Sequence, residues 1–269
     1  MTPLSGSTPQ RLQSLINRLT LVQRNIQGVQ DVYTAASTDA AASNTDMGNT
    51  KKPMGNALKD RGDISVAADG KTLVGLVSGT LGRLRRTESK LFVNTQTADN
   101  AAFPLAGMRE EIVGLSQSAE NADARAVLTQ SLGWMDRGSY YHVVAKREAG
   151  WSRSSAAAGE SRLSQVGNSL NAVARDNADG KNVAGDMAAA KPNIDLAIRS
   201  VTDHNIQAQN TVKYEAEVVV ALANLQAHLA QALALSQPAP PNQPPQPGSV
   251  PIFHRPNLLD VLQANDPTP

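Results

Sequence analysis

The amino-acid sequence predicts a mainly α-helical protein, an elongated helical bundle or coiled coil, on three observations. Apolar residues recur in steps of three and four over long stretches, only nine of the 269 residues are aromatic, and the stretch from Asn193 to Ser236 contains no Gly or Pro. Steps of three and four put apolar side chains on one helical stripe. A core poor in rings has to be built from Leu, Val, Ile and Ala, which suits close helix-on-helix contact and argues against an aromatic-lined pocket for a small molecule.

Residues 1–36 are expected to form an N-terminal amphipathic helix. Leu12, Leu15, Leu19, Val22, Ile26, Val29 and Tyr33 form an unbroken heptad seam, with Gln, Asn and Arg between them. Its partner is either another helix of the chain or the same helix of a second copy. Residues 37–62 turn to Ala, Ser, Asn, Thr, Asp and Gly, with Pro53, and read as a polar loop or linker.

The next segment, 63–237, reads as a helical bundle, entered through a small β-hairpin near 64–74. There Ile64 and Val66 alternate, and Asp69-Gly70 is a turn dipeptide. From Leu73 to Gly82 the chain is apolar, and Gly75 and Gly79 are spaced as a close-packing pair. The favoured reading is the start of a core helix; the competing one is a tongue that enters a membrane or a partner. Pro104 marks a boundary, followed by a helical face of Leu105, Met108, Ile112 and Leu115.

Trp134, Tyr140, Tyr141 and Trp151 then form the densest aromatic cluster, among charged residues that include Arg137, Arg147 and Glu148. Trp, Tyr and Arg carry most interface energy, so these four rings are the candidate partner-binding surface of the bundle. The plainer alternative is that they plug its end where Gly133, Gly138 and Gly150 turn the chain. A Gly/Asn/Asp-rich turn from Asp176 to Gly185 reverses direction into the long helix 193–236, which starts after Pro192 and stops at Pro238. Its first half carries a seam of Ile194, Ile198, Val201, Ala208 and Val212, with Asn205 and Glu215 also on it. Asn205 is the expected register-setting residue, since one polar group on a seam fixes alignment. Its second half widens to Val218, Val219, Leu222, Leu225, Leu229 and Leu233.

Residues 238–269 form the last segment. Seven prolines between 238 and 251 predict a disordered polyproline spacer of about 40 Å. Beyond it Ile252, Phe253, Leu258, Leu259 and Leu262 form an apolar tip, the layout of a tethered docking peptide.

A formal charge of +1 gives no electrostatic footprint for nucleic acid, and the absence of Cys removes disulfides, thiolate metal sites and a Cys nucleophile. No phosphate-binding glycine loop, dinucleotide fingerprint or nucleophile elbow is present. The four histidines are scattered, without the Glu-x-x-His pairs of di-iron bundles. No catalytic, cofactor or metal residue is therefore assigned, and no cofactor is expected.

The apolar runs near residues 75 and 220 read as too short to cross a bilayer, and the N-terminus lacks a secretory signal core, so a soluble protein is expected. The first thirty residues contain Arg but no acid, which fits export read by a receptor as an alternative to a frayed leader. Together these features predict a non-enzymatic structural or assembly protein, an accessory subunit of a bacterial or viral particle or appendage. It would self-associate or bind protein partners through its seams and its C-terminal arm. The alternative is an exported helical effector or membrane-active protein.

Overall fold

The computed structural model describes residues 7–59, 63–179 and 184–237, with backbone alone at 63–67, 101, 103 and 177. Among the described residues there is no strand. Four long helices, α1 (Thr8–Asn49), α3 (Asp63–Ser118), α4 (Ala122–Ala178) and α5 (Ala184–Ser236), follow one another, with the short α2 (Lys51–Ala57) after α1. Helix α1 packs on α3 and α5, and α4 packs on the same two, while the diagonal pairs hardly touch.

Cross-helix contacts fix the directions. Arg18 meets Glu111 and Arg83 meets Asp46, so α1 and α3 are antiparallel. Arg109 with Asp136 and Arg85 with Glu160 set α4 antiparallel to α3. Gln226 Nε2 donates to Thr20 Oγ1 at 3.0 Å and Thr202 Oγ1 donates to Asn44 Oδ1 at 3.0 Å, which does the same for α5 and α1. The result is an up-down-up-down four-helix bundle. The 56 residues of α3 alone extend about 84 Å at 1.5 Å per residue.

The sequence folds this way because the seam never breaks. Helix α1 buries Leu12, Leu15, Leu19, Val22, Ile26, Val29, Tyr33, Ala36, Ala40, Ser43 and Met47, in strict alternation of three and four. The same step continues through Thr50, Met54 and Ala57 into α2. Helix α5 buries Met187, Ala190, Ile194, Ala197, Val201, His204, Ala208, Thr211, Glu215, Val218, Leu222, Leu225, Leu229 and Ala232 on the same step.

Several expectations are corrected by this continuity. The linker at 37–62 is largely helix, because Ala36, Ala40 and Ser43 carry the seam onward in small residues as far as Met47. The hairpin near 64–74 is the first part of α3. Gly70 makes no turn there: a Cβ at that position would lie 3.1 Å from Val173 Cγ1, so the glycine admits α4 at close range. Gly75 and Gly79 are exposed and make no such contact, while Leu73 and Val77 belong to the core, so no apolar tongue projects.

Pro104 and Pro192 lie inside α3 and α5 and mark no boundary. A proline inside a helix costs about 3 kcal/mol, and seam burial on both sides outweighs it. Gly133, Gly138 and Gly150 are internal to α4 and turn nothing. The chain reverses from α3 into α4 at 119–121, and α4 ends at Ala178 and α5 begins at Ala184, within the expected turn from Asp176 to Gly185. Asn121 Oδ1 accepts the Asp123 N–H at 2.8 Å and the Ala124 N–H at 3.2 Å, capping α4, and its Nδ2 donates to the Leu235 carbonyl at 2.9 Å.

Candidate functional site

Two places in the bundle depart from aliphatic packing. The first is the aromatic cluster, which lies along α4 and draws in one more ring from α5. Arg137 is its hub: the guanidinium lies 5.5 Å from the Trp134 ring centre and 5.4 Å from that of Tyr141, and it donates to Glu217 at 2.7 Å. Tyr141 stacks on Tyr214 at 6.0 Å and meets Tyr140 edge-on at 5.4 Å. Burial pushes the Tyr141 phenol up, with Arg137 opposing.

Trp134 tilts over His228, so this ring is tied to α5. Tyr140 is 57% exposed and Trp151 49%, the latter capped by Arg147 at 4.9 Å. Trp134, Tyr140 and Tyr141 thus form one patch, and Trp151 stands farther along α4. None of them closes the end of the bundle. Tyr214 escapes a reading by local clustering, because it is 73 positions from Tyr141 in the chain and only the antiparallel pairing of α4 and α5 unites them.

The second place is a polar layer midway along the bundle. From Val201 to Val218 the seam of α5 carries His204, Ala208, Thr211 and Glu215, all buried. Opposite them α4 offers Ala145, Ala149, Ser152 and Ala156, and α1 offers Tyr33, Ala36, Ala40 and Ser43. Ser152 Oγ lies 2.8 Å from His204 Nδ1, and that nitrogen is also 3.0 Å from the Ser152 carbonyl. Burial holds the His204 imidazole below its ordinary range.

Glu215 has no exposed surface, and neither carboxyl oxygen has a hydrogen-bond partner. Burial alone pushes its carboxyl up to about 7. The Tyr33 hydroxyl is likewise buried and makes no hydrogen bond of normal geometry, although the Thr95 side chain lies close enough to stabilise the phenolate. Burial pushes its phenol up to about 12, with Thr95 opposing and the charges of Glu215 and Asp99 adding to the rise. At the edge of the layer Lys146 pairs with Asp99 at 2.7 Å, and His142 Nε2 stands 3.8 Å from the same carboxylate. Burial lowers His142 while Asp99 works against the shift.

Asn205 is not the seam residue. It is half-buried and accepts a hydrogen bond from Gln209 Nε2 at 3.3 Å, whereas its neighbour His204 faces the core. The seam runs through Ala197, Val201, His204 and Ala208, so Ile198 and Val212 flank it. Glu215 does lie on it. Ile252, Phe253, Leu258, Leu259 and Leu262, with the rest of the proline-rich segment, lie outside the described residues.

No group of His, Cys, Asp and Glu among the described residues could hold a metal ion. By length and composition α5 is long and apolar enough to cross a membrane, contrary to the reading of its apolar run as too short. The uncharged stretch is Val218–Leu235, whose Leu222, Leu225 and Leu229 face the core. No family model, curated protein or solved structure matches the chain.

Proposed function

We propose that this chain is a non-enzymatic helical assembly protein, an accessory subunit of a bacterial or viral particle or appendage, attached through its C-terminal segment. The observation that supports this reading best is the seam that runs without a break along α1 and α5 and is matched by buried positions spread along α3 and α4, which commits one stripe of each helix to packing. Such a repeat favours left-handed supercoiling and the stiffness expected of a strut or spacer. Trp134, Tyr140, Tyr141 and Trp151, with Arg137 and Arg147, are the residues proposed to meet a partner.

Light scattering of the full chain beside a chain ending at residue 237 tests the reading. The full chain is expected to self-associate or to hold a partner, and the shortened chain to keep its helical signal and lose association. A strict monomer whose truncation alters only stability contradicts it.

The second reading, an exported membrane-active helical protein, draws on the uncharged Val218–Leu235 stretch of α5 and no longer on residues 64–82. Its test is liposome leakage, with a charge at the exposed Val220. Leakage that is lost in Val220→Lys while the fold is kept favours it; no leakage from the wild-type chain removes it.

A further inference from the structure

The polar layer stands where a continuous aliphatic seam would stabilise the bundle more, and its least satisfied member is Glu215. Both Glu215 oxygens are buried without a donor, and the buried Tyr33 feels the Glu215 charge across the α1–α5 contact. An ionised carboxylate in such a place has to recover water or a donor, and a neutral carboxyl does not.

The charged and titratable neighbours already have partners. On α3, Asp99 is held by Lys146 of α4, with His142 beside it. On α4, Glu148 accepts from Asn210 Nδ2 at 3.2 Å. On α5, Glu217 accepts from Arg137, Lys213 lies 5.7 Å from the centre of the Tyr214 ring, and His204 is engaged by Ser152.

We propose that this layer is a proton-operated latch: with Glu215 protonated the middle of the bundle is closed, and loss of that proton loosens α5 from its neighbours there while the aliphatic ends stay clamped. The closed state holds a proton that the opened state releases, so opening becomes easier as pH rises from the ordinary carboxyl range to the value of buried Glu215, and levels off above it. With that value near 7 against 4.5 for the ordinary carboxyl, the equilibrium for opening shifts about fortyfold between pH 5 and pH 7. The latch stands independently of the assembly role proposed above.

The chain contains no Cys, so a single introduced thiol reports opening. Ala149→Cys places it in the layer beside Tyr33, and Ala232→Cys places a control in the aliphatic end. In the full-length chain, thiol labelling corrected for thiolate content is expected to accelerate about fortyfold at position 149 between pH 5 and pH 7. It should stay flat at position 232, and Glu215→Gln should abolish the acceleration. Equal pH dependence at both positions, or acceleration that survives Glu215→Gln, overturns the proposal.

A carboxyl carbon titration of the wild-type chain covers the case in which a variant fails to fold. A Glu215 midpoint well above the ordinary carboxyl range supports the latch, and a midpoint inside that range overturns it.

Discussion

The two ends of the bundle and its middle share one spacing and differ in what occupies it. At one end the seam positions are Leu12, Leu15, Leu19, Ile112, Leu115, Leu225 and Leu229; at the other they are Leu73, Val77, Leu163, Val166, Leu170, Val173 and Ile194. Between them stand Ala36, Ala40, Ala145, Ala149, Ser152, His204, Thr211 and Glu215. Spacing alone decides that four helices align over their whole length. Content decides where the alignment is strong, because a buried Leu contributes about 1.5–3 kcal/mol by leaving water and a buried unpaired polar group works against the fold. The ends therefore hold the bundle together, and the middle is tolerated between them.

The largest test of that contrast is truncation at an end. Leu163→Ala, in a fully buried site, should cost about 2–5 kcal/mol in chemical unfolding. A cost below 1 kcal/mol would mean that the ends do not carry the stability.

Next comes Glu215. Its buried carboxyl, near 7 against 4.5 for the ordinary group, keeps a proton that the unfolded chain gives up. Stability should thus be full below the ordinary carboxyl range, fall as pH rises from there to about 7 and remain reduced above. Glu215→Leu should remove that loss, raising stability by about 3 kcal/mol at pH 8 and by less at pH 5. His204 and His142 act in the opposite sense. Their lowered values mean that their contribution is full above the ordinary histidine range and is lost as pH falls through the folded-state values. The two windows overlap below the ordinary histidine range and oppose each other there, so the Glu215 effect is read by difference. The gap in melting temperature between Glu215→Leu and the wild-type chain should widen from the ordinary carboxyl range to about pH 7 and level off above it.

Smaller effects sharpen the picture. Tyr33→Phe removes a buried hydroxyl that makes no hydrogen bond of normal geometry and should leave stability unchanged or raise it by up to about 1 kcal/mol; a loss of about that much would mean that the nearby Thr95 side chain satisfies it. Gly150→Ala meets nothing within 4 Å and should raise stability by about 0.5–1 kcal/mol through helix propensity. Gly159→Ala should lower it instead, since the new Cβ would lie 3.2 Å from Leu84 Cδ1 and 3.4 Å from Val201 Cγ2. Thermal melts of the two alanine variants run side by side check both signs.

What was legible in the sequence follows the size of the seam residues. Leu12 to Tyr33 announces a helix because each seam position is large. Residues 36–57 hide one because, apart from Met47 and Met54, their seam is Ala36, Ala40, Ser43, Thr50 and Ala57, small or polar groups that a narrow bundle core accepts. Asp69-Gly70, Pro104 and Pro192 carry strong local signals for turns and breaks, and tertiary packing overrides them. The Gly/Asn/Asp-rich turn before α5 was legible, and Asn121 with Asp123 was a readable cap at the α3–α4 reversal, overshadowed by Pro104.

Of the candidate site residues, Glu215 was visible on the seam. The register around Asn205 slipped by one position, because Ile198 and Val212 flank the seam and drew the stripe toward them, while His204, being polar, gave no apolar signal. The meeting of Tyr33, Tyr214 and Glu215 with residues of other helices depends on long-range pairing that no local pattern contains.

The contrast between ends and middle is tested most directly by amide hydrogen exchange of the full-length chain at one neutral pH, read residue by residue along α1 and α5. Protection at Leu15–Val22 and at Leu225–Leu229 should exceed that at Ala36 and at Thr211–Glu215 by at least about tenfold, the equivalent of 1.4 kcal/mol. Protection that is uniform along both helices, or greatest around Glu215, would contradict the account.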